Sequence, residues 1–144
     1  MVNARTLTYT LRLVPWFVPI DERKELLAHL TYTTADPLAV TFAFVRPTTG
    51  EVTVEYRFAR HLISDGLSNE AGDLDDGVVI GRCRSAPAKV AFTFYPEGAY
   101  PFTVLADREE ISDFVEMSGF LVPPGADPAE LFAEIEQVLG GGAR

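Results

Sequence analysis

The sequence has one cysteine, two histidines and one tryptophan in 144 residues. A lone Cys83 cannot close an internal disulfide, so nothing points to an oxidising compartment. It reads as a buried free thiol acting as a small hydrophobe. His29 and His61 have no His or Cys at ligand spacing and read as structural or surface residues. No apolar run approaches the roughly 20 residues of a membrane-spanning helix. Met1 to Leu13 lacks the charged start and continuous apolar stretch of a signal peptide. A cytoplasmic protein without membrane insertion is expected. Positive charge is also scarce: 12 basic residues face 21 acidic ones, a net charge of −9. That field repels phosphates, so nucleic acid and anionic lipid are disfavoured partners. The chain lacks a glycine-rich phosphate loop, a Gly-x-Ser-x-Gly elbow and a His-Glu-x-x-His pair. No catalytic residue, metal or cofactor is expected.

What is abundant is apolar content, at 47% of residues. Folding at 15.8 kDa shrinks roughly 23,000 Å² of surface to about 7,300 Å². That suffices for one self-standing core, so residues 1–144 are expected to form a single domain with a flexible tail over 140–144.

The apolar pattern mostly has period two, the spacing of half-buried strands. Leu7 to Leu13 alternates Leu7, Tyr9, Leu11 and Leu13 with Thr8, Thr10 and Arg12. Leu38 to Val45 and Val52 to Phe58 follow, joined by the turn Arg46-Pro47-Thr48-Thr49-Gly50 into a hairpin. Val52, Val54, Tyr56 and Phe58 are expected on its apolar face. Val78 to Arg84, Val90 to Tyr95 and Tyr100 to Leu105 read as further strands, the last two joined at Pro96-Glu97-Gly98. Polar faces imply antiparallel hairpins, since parallel strands are apolar on both sides.

Helical signals are few. Phe58 to Ile63 passes from strand into a short helix that Gly66 is expected to end. Asp107 with Glu110 forms a capping-box pattern ahead of the face Ile111, Phe114, Val115 and Ser118, with Gly119 as the expected stop. A third helix over 127–139 has Asp127 as cap, Pro128 in its first turn and Leu131, Ile135, Val138 and Leu139 as its stripe. The acidic stretch Ser68 to Gly77 reads as a linker between two halves, each of strands followed by helix. The fold class is α+β: antiparallel hairpin-rich sheets with a short mid-chain helix and C-terminal helices.

Chemistry is sparse. Asp73-Leu74-Asp75-Asp76-Gly77 lacks the alternation of a calcium loop and reads as a solvated acidic loop. Glu109 and Glu110 sit where a helix dipole favours negative charge. Arg82, Arg84 and Lys89 are too few for a nucleic-acid-binding sheet and read as a solvated strand face. Pro15-Trp16-Phe17-Val18-Pro19-Ile20 suits a central strand poorly. It either covers the core from an edge or exposes Trp16 and Phe17 as anchors for a partner. Tyr95 and Tyr100, flanking a turn, pose the same alternative.

Several short strings resemble the SsgA-like sporulation and cell-division proteins of actinomycetes. They are Leu30-x-Tyr32-x-x-x-Asp36-Pro37-x-Ala39-Val40, then Val54-x-Tyr56-x-Phe58-Ala59-Arg60-x-Leu62 with Gly66-Leu67. Gly72-Asp73, Pro96-Glu97-Gly98 and Val122-Pro123-x-Gly125 follow in order. Leu38, Tyr56 and His61 depart from residues common in the family. The resemblance implies a whirly-type fold, a homotrimer and a non-enzymatic role at the septum. The implied partners are the tubulin-like division GTPase FtsZ and other SsgA-like proteins. A single-stranded nucleic-acid-binding module is the alternative that the fold analogy suggests. Asp36, Pro37, Phe58, Ala59, Arg60, Gly66 and Leu67 are expected to determine the fold. Arg60 is expected near a helix start, facing a carboxylate.

Overall fold

The alternating segments form strands wherever one face finds a core. A computed structural model describes residues 4–16 and 25–122. Four strands come first: β1 (Thr6–Pro15), β2 (Leu26–Thr33), β3 (Ala39–Val45) and β4 (Val52–Ala59). Helix α1 (His61–Ser68) follows. Four more strands, β5 (Ala71–Asp73), β6 (Val78–Arg82), β7 (Lys89–Phe94) and β8 (Phe102–Asp107), precede helix α2 (Arg108–Leu121). The order of strands, β4-β3-β2-β1-β8-β7-β6-β5, gives one eight-stranded sheet curled into a half-barrel. Every pairing is antiparallel, as the polar faces predict.

The two halves run in the same order, four meandering strands and then a helix. Among the described residues β1 pairs with β2 from Thr6 to Leu13, and with β8 through Val14↔Leu105 and Pro15↔Val104. Side chains join the halves more extensively. The Tyr56 ring of the first half stacks on Phe94 of the second at 4.5 Å. Phe42 lies 5.0 Å from Phe94 and 5.2 Å from Phe92. Phe44 reaches Phe102 at 5.7 Å. Offset and edge contacts of this kind each contribute about 0.5–1.5 kcal/mol beyond the area they bury. Leu11, Leu13, Leu30, Tyr32, Ile80 and Val90 complete the buried layer.

Several expectations are corrected. β2 went unread as a strand because Leu26-Leu27 blurs its start, although Ala28, Leu30 and Tyr32 alternate with His29, Thr31 and Thr33. His29 therefore lies within a strand, beside Thr10 Oγ1 at 3.2 Å, and not at an element boundary. The Ser68–Gly77 linker contains the edge strand β5. β1 is an interior strand that runs through Pro15. Its last two residues pair with β8 after the β2 ladder has ended.

β4 is an edge strand, so Val52 and Val54 stay 50% and 41% exposed and only Phe58 is buried. β6 stops at Arg82, which puts Cys83 and Arg84 in the turn beyond it. Neither expected stop ends a helix. Gly119 lies within α2, which continues to Leu121. Gly66 lies within α1 because the helix packs directly on β6. A Cβ there would meet Ile80 Cγ2 at 2.5 Å and the Ile80 carbonyl oxygen at 2.9 Å.

Other expectations hold. Asp107 caps α2, its carboxylate accepting from the Glu109 N–H at 3.0 Å. Gly50 and Gly98 take positive φ in their hairpin turns. Among the described residues no helix is long and apolar enough to cross a membrane. Phe17, the helix expected over 127–139 and the tail 140–144 lie outside the described residues.

Candidate functional site

The motif residues near each strand-to-helix passage do structural work. Pro37 is buried, and its carbonyl accepts the Tyr32 hydroxyl at 3.1 Å. The Asp36 carbonyl accepts from the Ala39 N–H, so the Asp-Pro turn starts β3 as expected. The Asp36 carboxylate meets the Arg57 guanidinium at 2.7 Å on the surface. Phe58 is buried, and Ala59 pairs with Ala39.

Among the described residues Arg60 meets no carboxylate, contrary to expectation. Its Nη1 donates to the carbonyls of Ser118 at 3.2 Å and Val122 at 2.8 Å, where α2 ends. Its guanidinium also lies 4.8 Å from the centre of the Tyr32 ring. Carbonyls at a helix C-terminus lack intrahelical partners and carry partial negative charge, so a cation stabilises them. Arg108, the first residue of α2, does the converse. Its Nη2 donates to the Leu67 carbonyl near the end of α1 at 2.8 Å. Each helix end is thus held by an arginine that begins the other helix. The signal for this was an arginine at the strand-to-helix junction in both halves, Ala59-Arg60 and Asp107-Arg108.

Tyr9 links α2 to the first half. Its hydroxyl donates to the Asp113 carboxylate, and its ring meets Phe114 edge-on at 5.3 Å. Its pKa is pushed up to about 12, first by burial, then by the hydrogen bond to Asp113. The negative charges of Asp113, Glu110 and Glu116 raise it further.

The aromatic candidates separate. Trp16 is 43% exposed, its backbone N–H donating to the Thr103 carbonyl at 3.1 Å. Tyr100, in the β7–β8 turn, is 93% exposed. Tyr95 is half-buried, and its backbone N–H bonds to Gly77. The run of β1 beside β8 brings Trp16 toward the β7–β8 turn that carries Tyr100.

The acidic loop closes on itself. The Asp73 carboxylate accepts from the Asp76 N–H, and the Asp76 carboxylate from the Asp73 N–H, both at 3.0 Å. Cys83 is buried, as expected. Arg82 and Arg84 flank it and line an open groove with Trp16, Ala91, Thr93 and Thr103. An adjoining hollow joins them to Arg108. The junction marks Arg108 but not its partner, because the carbonyl it meets is 41 residues away.

This fold and its motifs have counterparts. The family described as Streptomyces sporulation and cell division protein, SsgA, matches residues 26–127. The sporulation-specific cell division protein SsgB of Frankia casuarinae is 33% identical over 140 residues, covering 95% of this chain and 92% of that protein. SsgB of Streptomyces coelicolor is 34% identical over 114 residues, 78% of this chain and 80% of that protein. A solved structure from work on mutations in S. coelicolor SsgB and longitudinal cell division superposes with a TM-score of 0.72. It shares 28% identity, over 85% of this chain and 92% of its own. An SsgA-like sporulation-specific cell division protein from Thermobifida fusca shares the fold, with a TM-score of 0.77 at 23% identity over 98% of both chains. The chain belongs to the SsgA family of sporulation and cell division proteins.

Proposed function

We propose that this protein is a non-enzymatic adaptor in sporulation-linked cell division. It works at the septum through protein–protein contacts that recruit or position FtsZ. The observation that carries the reading is the correspondence, over nearly the whole chain, with a relative named as a sporulation-specific cell division protein. Trp16 and Tyr100, exposed to 43% and 93%, supply aromatic anchors of the kind that dominate protein interfaces. Tyr95 belongs to the same proposed surface, and Phe17, outside the described residues, is proposed to contribute to partner binding. The functional unit in this reading is a homotrimer. The edge strand β4, with Val52 and Val54 exposed, offers a row of backbone groups and apolar side chains for self-association.

Co-purification with FtsZ, and septal localisation of a fluorescent fusion, test the reading. Both are expected, and both are expected to weaken when Trp16 and Tyr100 become alanine in a folded protein. Absence of binding to any septal protein overturns it. Light scattering is expected to give three times the monomer mass. Salt-sensitive binding of single-stranded DNA near physiological ionic strength would favour the nucleic-acid module instead, an outcome that the net charge of −9 opposes.

A further inference from the structure

Three arginines gather on a chain that is otherwise strongly acidic. Arg82 and Arg84 line the groove on the outer side of β6 to β8, and Arg108 joins them in the adjoining hollow. Arg82 Nε lies 3.5 Å, and Arg108 Nη2 2.8 Å, from the same Leu67 carbonyl oxygen. The two guanidinium groups are therefore neighbours. Like charges this close repel unless an anion lies between them. Among the described residues no carboxylate lines either hollow. Among the described residues the ion pairs are Arg12–Glu25 and Arg57–Asp36, and none involves these three arginines. Arg84 is exposed, with no hydrogen bond or ion pair among the described residues.

We propose that the groove lined by Trp16, Arg82 and Arg84, together with the adjoining hollow that Arg108 lines, binds an extended acidic segment of a partner polypeptide. Charge complementarity identifies the occupant. Guanidinium forks match carboxylates two bonds at a time, and three of them along the groove and its adjoining hollow suit successive side chains of a strand-like peptide. The floor of Ala91, Thr93 and Thr103 is small enough to let a backbone lie close. A nucleic acid would extend past this patch onto a surface of net negative charge, where its phosphates are repelled. The proposal deepens the adaptor reading by naming a contact surface. It is independent of which division protein is recruited.

The only tryptophan of the chain lines the groove, so its fluorescence reports on occupancy. Titration of the full chain with an oligo-glutamate peptide is expected to change the emission saturably, with an affinity that falls as salt is added. Isothermal calorimetry on the same samples detects binding that leaves the emission unchanged. Arg84→Glu, at an exposed residue without bonds among the described residues, is expected to weaken binding about tenfold while leaving thermal stability unchanged. Absence of saturable binding by both methods overturns the proposal, as does equal affinity in the Arg84→Glu variant. Tighter binding of oligo-deoxythymidine than of oligo-glutamate overturns it in favour of a nucleic-acid groove. None of these results depends on FtsZ, so failure here and failure of the septal reading are distinguishable.

Discussion

Arg60 ties the start of α1 to the end of α2. It serves two carbonyls at the end of α2 and lies against the Tyr32 ring. Hydrogen bonds from a charged donor contribute about 1.5–3 kcal/mol. Arg60→Ala is expected to cost about that much, read as a lower urea midpoint with an unchanged m-value. Arg60→Lys is expected to recover only part of it, because an ammonium lacks the planar fork. Tyr9 sets a different dependence. Its hydroxyl ionises near 10 in an unfolded chain and near 12 in the fold. The unfolded state therefore loses its proton first. The stabilisation from Tyr9 is complete below pH 10 and falls away as pH rises toward about 12. Replacing Asp113 with Asn is expected to lower the Tyr9 pKa, checked by the alkaline titration of tyrosinate absorbance against a Tyr9→Phe control.

At the scale of elements, strands with one polar face were legible and glycines in helices were not. Leu7 to Leu13 and Val90 to Tyr95 show clean alternation because one face meets the core and the other meets water. β2 was hidden by one doubled leucine at its start. Gly66 and Gly119 looked like stops because the sequence shows only that glycine lacks a side chain. It does not show that α1 needs that absence to approach Ile80. Gly66→Ala is expected to destabilise the protein by about 1–3 kcal/mol through overpacking, although alanine favours helix more than glycine does. Thermal or urea unfolding checks the sign. The candidate site was less legible than the fold. Its arginines could be counted, but the Leu67 carbonyl that gathers two of them lies far away in the chain.

The whole molecule is two similar halves joined by aromatic surface as well as backbone. Among the described residues β1 and β8 share two residue pairs, whereas Phe42, Phe44 and Tyr56 of the first half all pack on Phe94 of the second. Phe94→Ala is expected to cost about 3–5 kcal/mol. It should shift one common transition, with far-UV circular dichroism and tryptophan emission moving together. Two separate transitions would show that the halves are independent. The paired arginine caps also bear on how the protein is made. The chain leaves the ribosome from its N-terminus, so α1 is complete before the arginine that closes its end has been synthesised, 41 residues later. Arg60 likewise emerges 58 residues ahead of the first carbonyl it will hold. Neither helix end can be closed on a half-made chain. The final locking of both is an event of the finished polypeptide, after translation has passed α2.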